Sequence, residues 1–333
     1  MDILIGLMLA LFAGVVPMVI YAMIVWWFDR YEAEPLPLLA ATFLWGAIPS
    51  IVLALVLELA FDIPIRGWVE AETLAYQLIG SSVIAPVVEE ILKAAAVLGV
   101  FVLFYREFDS ILDGIIYGSL VGFGFASVEN VFYFLSALGE GGLGGMIGLI
   151  ILRAFVFGLN HAFFTSLTGI GFAVARTSRS CLLKLVAPVI GLVMAISAHA
   201  IHNGGMTLAE SSCLLPLFSV AVDWGGALVV FIIILLAAAQ EKRWLQSQLP
   251  EEVKLGILTQ AECKVVCSYM ERLAQRTGVF FSGDFGRWWR LEQFYQLATD
   301  LAFKKHQLAT LGDEGGNRAA IDRLRRRLVA MRR

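Results

Sequence analysis

Charge is scarce in this chain. Of 333 residues, 16% are Asp, Glu, Lys or Arg and 59% are hydrophobic, and mean hydropathy is +0.78. A soluble chain carries nearer a quarter charged residues, so a single water-soluble globule is excluded. Cysteine is equally sparse. Cys181, Cys213, Cys263 and Cys267 form no C-x-x-C pair, and Cys263 and Cys267 lie one helical turn apart, which speaks against a disulfide framework or a cysteine metal site. No H-E-x-x-H run exists, so a zincin helix is excluded. Ser82, Ser127 and Ser197 lack a nucleophile elbow or a Lys or His partner at a telling spacing. No internal repeat suggests the inverted halves of a transporter. The N-terminus, Met1-Asp2, lacks a basic leader, and the apolar run behind it exceeds a signal-peptide core. It reads as a retained spanning helix.

What the chain does have is long apolar blocks, the mark of membrane-spanning helices. Seven spans are expected, at about 3–28, 36–60, 78–105, 111–138, 146–175, 183–208 and 214–239. The fold class is therefore all-α: a polytopic bundle of about seven transmembrane helices with a small helical C-terminal tail. Residues 1–239 carry 8 Lys+Arg against 17 Asp+Glu, whereas residues 240–333 carry 17 against 11. This splits the chain into an acidic membrane domain, 1–239, and a basic soluble region, 240–333. Arg30, Arg106, Arg176, Arg179 and Lys184 fall in alternate loops, with Arg66 alone on the other side. The positive-inside rule then sets the N-terminus outside and the basic tail in the cytoplasm. Arg66, Glu70 and Glu72 with Trp68 read as an interfacial segment, and the first loop, Asp29 to Pro35, as a solvated turn.

The tail should open with a capping box at Thr259–Glu262, starting a helix whose stripe is Val265, Val266, Tyr269, Met270 and Leu273. Trp288, Trp289, Phe294, Tyr295 and Leu297 mark another helix, Gly312 to Gly316 a break, and Arg323 to Arg333 a final basic helix. Such a tail reads as too small for a large core, a helical hairpin leaning on the membrane part. Its Arg325-Arg326-Arg327 run suits anionic headgroups, and no nucleic-acid motif accompanies it.

The organising stretch is Glu89-Glu90-Ile91-Leu92-Lys93, inside the third apolar run. An ionised group near a bilayer centre costs at least roughly 2.5–3.5 kcal/mol, so these groups must face protein or trapped water. Glu89 and Lys93 are favourable i,i+4 neighbours, and a buried salt bridge that only fixes packing is the bland account. Other spans bring polar groups to the same depth: Glu129-Asn130, Arg153 with Asn160-His161, and His199 through His202-Asn203. These positions fall in one slab displaced toward the exterior, which implies one polar cavity. Carboxylate and imidazole can activate water, and a second imidazole with an amide can meet an oxyanion. The same donors also make a zinc site, with His161, His199 and Glu90 as ligands.

In order along the chain, Asp29 to Pro35, Glu89-Glu90-x-x-Lys93, Asp113 to Gly118 running into Gly124-Phe125-Ala126-x-x-Glu129-Asn130, Arg153, His161-Ala162 and His199-x-x-x-Asn203 resemble the PrsW-type intramembrane proteases, relatives of the CAAX prenyl endopeptidases. The resemblance spans about residues 15–235. It implies a bacterial plasma-membrane hydrolase that cuts a single-pass membrane protein near the outer face, such as an anti-sigma factor. Carried over, Glu89 and Glu90 hold the catalytic water, Lys93 supports them, His161 assists, and His199 with Asn203 meets the oxyanion. Glu129 stands where the CAAX group has histidine, and His202 is an alternative to His199 as the functional ring. Asn130 is a further supporting residue. The expectation is a metal-free glutamate mechanism with no cofactor, and zinc is the alternative. The rival reading is a transporter or receptor using the same cavity. The Gly118-x-x-x-Gly122 pair permits a close helix approach, within the bundle or between protomers.

Overall fold

The computed structural model describes residues 2–331 except 33, 72, 210 and 213, so Glu72, Cys213 and the terminal Arg332 and Arg333 lie outside the described residues. Helices account for nearly everything described, with no strand among those residues. The chain divides into two compact units: residues 1–27 with 35–234, and residues 28–34 with 235–333.

The first unit starts with α1 (Asp2–Trp27) and α2 (Leu36–Trp45), which runs through a π-helical turn, Gly46–Ser50, into α3 (Ile51–Ile65). A short α4 (Leu74–Leu78) is capped by the Thr73 hydroxyl and continues through a second π turn, Ile79–Ile84, into α5 (Ala85–Leu103). Helix α6 (Ile111–Ile150) opens with a capping box: Asp113 accepts from the Ser110 amide at 2.6 Å and the Ser110 hydroxyl at 2.9 Å. A third π turn, Ile151–Val156, precedes α7 (Asn160–Thr177), followed by α8 (Cys181–Thr207) and α9 (Leu214–Gln248).

Five helical stretches are long and apolar enough to cross a membrane: Leu4–Trp27, Leu36–Ile65, Ile111–Thr177, Cys181–Thr207 and Leu214–Lys254. The expected count of seven departs from this in two places. Helix α5 carries Glu89, Glu90 and Lys93, too many charges for composition alone to mark it as a span. The fourth and fifth expected spans run on as one helical stretch of 67 residues. That stretch is not straight. Gly142 has φ 63°, a conformation that glycine adopts without a Cβ penalty. Arg153 and Glu129, 24 residues apart, touch at 2.6 Å, whereas a straight helix would separate them by roughly 36 Å. The chain doubles back, and Met146 and Ile150 pack beside Phe134.

Close approach of α6 to α7 sets the site. A Cβ at Gly118 would come 2.6 Å from the Thr165 carbonyl oxygen, and one at Gly122 would come 2.7 Å from Ala162 Cα and closer still to the His161 carbonyl. The small-residue stripe therefore serves packing within the bundle, and it seats the backbone of His161 directly against α6.

The second unit contains the C-terminal end of α9 and five further α-helices: α10 (Pro250–Lys254), α11 (Gln260–Val266), α12 (Tyr269–Phe281), α13 (Phe285–Leu311) and α14 (Asn317–Ala330). It is not a hairpin. Leu245, Leu249, Val266, Leu301, Leu324 and Leu328 form a core of its own. The capping box at Thr259 and Glu262 is present, with 3.1 and 2.6 Å bonds. The expected single helix stops at Val266, because Ser268 caps a new one at Tyr269, and this leaves Met270 69% exposed. The break at Gly312–Gly316 carries φ of 84°, 66° and 79° at Gly312, Gly315 and Gly316.

Two expectations about charge change here. The first loop is not simply solvated: Tyr31 is buried in this core, and Arg272 donates to its carbonyl at 3.1 Å. Arg325 is turned inward, paired at 2.8 Å with Glu252, which also binds Lys305 at 2.6 Å. Only part of the arginine run is therefore left for other partners.

Candidate active site

Helix α5 places Glu89, Glu90 and Lys93 on one face, all buried. The Lys93 ammonium donates to Glu89 Oε2 at 3.0 Å and Glu90 Oε1 at 2.8 Å, and it lies 3.9 Å from the centre of the Phe125 ring. It also faces His161 Nδ1 at 2.9 Å. Every lysine proton is thus committed, and the charge is balanced without solvent.

The two carboxylates are not equivalent. Glu90 is wholly buried, with Oε1 shared by Lys93 and His199 Nδ1 (3.1 Å) and Oε2 accepting from the Thr165 hydroxyl at 3.0 Å. Glu89 lines a cavity of about 470 Å³. Its Oε2 takes Lys93, and among the described residues its Oε1 has no hydrogen-bond partner.

A second layer holds His161. Its Nε2 lies 2.9 Å from Glu129 Oε2, which also accepts from Arg153 at 2.6 Å. Arg153 donates in turn to Asn130 Oδ1 at 2.9 Å and sits over the Tyr133 ring. The π turn that carries Arg153 aims it back at α6, a local irregularity of the kind found at functional sites. Because a carboxylate only accepts, His161 carries its proton on Nε2 and offers the Nδ1 lone pair to Lys93.

Helix α8 supplies the opposite wall. His199 stacks on Phe164 with centroids 4.9 Å apart and lies 5.1 Å from the His161 ring. Asn203 lines the same cavity, with its amide donating to the Ser81 carbonyl at 2.8 Å. The nine sequence-derived positions therefore meet, with one division of labour. His199 belongs to the carboxylate centre. His202 belongs to a separate pair with Asp223, 2.7 Å away, steadied by Asn160, whose amide donates to Asp223 at 3.0 Å.

Sequence reasoning missed Asp223 and Glu58. Asp223 is a lone acid in the last apolar run, 1% exposed, with its Oδ1 buried and unpaired. Its signal was the rarity of charge in that run. Glu58 sits on α3 and lines the same cavity. It was overlooked because no motif surrounds it.

Glu89, Glu90, His161 and His199 each offer a ligand atom within 4.8 Å of the others. Two carboxylates and two imidazoles suit zinc in donor type. Three of the four donors, however, already give a lone pair to the Lys93 ammonium, which sits where a cation would. A metal ion bound through those same atoms would have to displace it, whereas Glu89 Oε1 and His199 Nε2 carry no hydrogen bond among the described residues.

Apolar helices enclosing ionisable groups define an integral membrane protein with a buried carboxylate–imidazole centre. A family model described as PrsW family intramembrane metalloprotease matches residues 34–239. The chain belongs to that family. Protease PrsW of Geobacillus kaustophilus (strain HTA426) is 30% identical over 173 residues, 49% of this chain and 65% of the relative. Protease PrsW of Clostridioides difficile (strain 630) is 34% identical over 109 residues, 32% of this chain and 43% of the relative. The chain thus spans less than two thirds of the length of either relative. No solved structure matches.

Proposed function

We propose that the protein is an intramembrane endopeptidase that hydrolyses a peptide bond of a single-pass membrane protein, with Glu89 as the base. The observation that carries this is the asymmetry of the pair: Glu89 presents an unpartnered oxygen to the cavity, while Glu90 is saturated from behind. Glu89 Oε1 takes a proton from a water in the cavity as the water oxygen attacks the scissile carbonyl. The same carboxyl then delivers that proton to the leaving amine. Lys93 fixes Glu89, and Glu90 fixes both Lys93 and His199.

The oxyanion is met from α8. His199, with Nδ1 held by Glu90, offers its other ring nitrogen to the oxyanion in the doubly protonated form. The Asn203 amide has a second N–H beyond the one spent on Ser81. Both His161 nitrogens are engaged, which makes it a positioning residue between Lys93 and Glu129.

The position of Lys93 supports a metal-free route, and we assign zinc no step. The loop charges support an N-terminus outside and a cytoplasmic second unit in a bacterial plasma membrane. An anti-sigma factor is the substrate class that the family resemblance suggests.

The test is cleavage of a single-pass reporter co-expressed with wild type, Glu89→Gln or His199→Ala. Cleavage lost at equal protein abundance is expected. Normal cutting by Glu89→Gln removes the hydrolase reading in favour of a transporter or receptor.

A further inference from the structure

Glu58 lies at the junction of two cavities. The catalytic cavity of about 470 Å³ shares Leu55, Glu58, Ser81, Ala85 and Tyr133 with a second of about 430 Å³, which continues to Asp62, Ile65 and Tyr76. The two are contiguous, and Glu58 stands where one passes into the other. It is partly exposed to this space and makes no hydrogen bond or ion pair among the described residues.

Every basic side chain nearby is already committed. Lys93 holds Glu89 and Glu90, Arg153 holds Glu129, and Arg66 holds Asp62 at 2.7 Å. Asp62, one turn along from Glu58, also accepts from the Tyr76 hydroxyl. Among the described residues, four carboxylates line the joined cavities, Glu58, Asp62, Glu89 and Glu129, against one guanidinium, that of Arg153. An unpaired carboxylate at membrane depth is costly unless something cationic reaches it. It lies seven residues before the end of α3, roughly 10 Å, where Arg66 and the 92% exposed Trp68 follow. A Lys or Arg in a spanning segment extends its charged end toward an interface, and this passage would receive it.

We propose that Glu58 is a specificity-determining residue that binds a lysine or arginine of the substrate close to the scissile bond, on the side of the cavity bounded by Asp62 and Tyr76. The substrate class is then a membrane-spanning segment with a basic residue near one end. This rests on the protease reading above but concerns recognition alone. A charge-assisted bond formed in both ground and transition states appears in KM and leaves kcat to Glu89.

The experiment scans Lys, Gln and Glu through successive positions flanking the scissile bond of a single-pass reporter. It measures kcat/KM for the full-length protein in liposomes. Wild type is expected to favour Lys over Gln about tenfold at one position, mainly through KM. In Glu58→Gln this ratio falls toward one, and Glu58→Lys favours the Glu reporter instead. Glu58→Asp keeps the Lys preference, and Glu58→Ala, expected to lose it, replaces Glu58→Gln should the latter fail to accumulate. A wild-type ratio near one, or a Lys preference that survives in folded Glu58→Gln, overturns the proposal. A parallel arm photocrosslinks the same reporters, carrying benzoylphenylalanine, to Glu89→Gln. Lys-selective crosslinking that disappears when Glu58→Gln is added, without any wild-type cleavage, upholds Glu58 as a binding residue and defeats the protease reading. Charge-indifferent crosslinking defeats the Glu58 assignment.

Discussion

Lys93 Nζ lies 2.9 Å from His161 Nδ1. An ammonium only donates, so the ring nitrogen that faces it bears no proton and its lone pair is spent. A divalent ion held through His161 Nδ1 would compete with this lysine, which also takes lone pairs from Glu89 and Glu90.

From this follows a metal prediction. Protein purified without chelator should carry far less than one equivalent of zinc by elemental analysis, and incubation with a chelator should leave reporter cleavage intact. Lys93→Met empties the space between the donors and should raise bound zinc. Stoichiometric zinc in wild type, with activity lost on chelation and restored by zinc, would show that Lys93 yields its place.

Glu89 and Glu90 should behave differently despite adjacency. Glu89→Gln removes the base and should lower kcat by about 10²–10⁴ with little change in thermal stability. Glu90→Gln leaves Lys93 and His199 short of a buried acceptor and should destabilise by about 3–5 kcal/mol, as broken buried pairs do. Thermal melts in detergent beside single-turnover rates separate the two. Equal loss of stability in both variants would mean that Glu89 is a packing residue like its neighbour.

Much of this centre was legible in the sequence, because charge in an apolar run is conspicuous and Glu89, Lys93, Glu129, His161 and His199 announce themselves at one depth. What was not legible was orientation. Successive residues on a helix point about 100° apart, so only the three-dimensional arrangement separates cavity-facing Glu89 from Glu90, and His199 from His202. Asp223 and Glu58 are single acids without flanking motifs, and their meaning comes from helices distant in sequence. The all-helical, membrane-spanning character was readable from hydropathy. The break expected between 138 and 146 contains the Gly142 reversal, whereas the number of spans was less readable, because α5 carries three charges. The core of the second unit was missed because its closing piece, Tyr31, comes from a loop more than 200 residues earlier.

That loop supplies a stability prediction. Arg272 is 4% exposed and donates to the carbonyls of Val266 and Tyr31 and to the Thr299 hydroxyl. Burial pulls its guanidinium down to about 10, still charged at neutral pH. Arg272→Leu strands these acceptors, each at a cost of about 1–3 kcal/mol. Faster protease nicking between Asp29 and Glu34 is expected, together with a lower melting temperature. Unchanged nicking would mean that Tyr31 is held by its ring alone.

Burial likewise pushes the Cys267 thiol up to about 12, so almost none of it is thiolate at pH 8. Iodoacetamide on folded protein should modify exposed Cys181 well before Cys267, read by peptide mass spectrometry. Early labelling of Cys267 would mean that the second unit opens readily.

The last prediction concerns Glu129, whose carboxylate is shared by Arg153 and His161. If Arg153 serves to fix Glu129, and Glu129 to fix the His161 ring, the two side chains act as one device. Arg153→Met and Glu129→Gln should then each reduce kcat, and the double variant should lose little more than either alone. The coupling expected for contacting charged groups is about 0.5–3 kcal/mol. Arg153→Lys keeps the charge but cannot hold Asn130 and Glu129 together as a fork does, so it should rescue stability better than rate. Strictly additive losses would separate the two residues, leave Arg153 as a packing cation over Tyr133, and require another account of why His161 keeps its proton on Nε2.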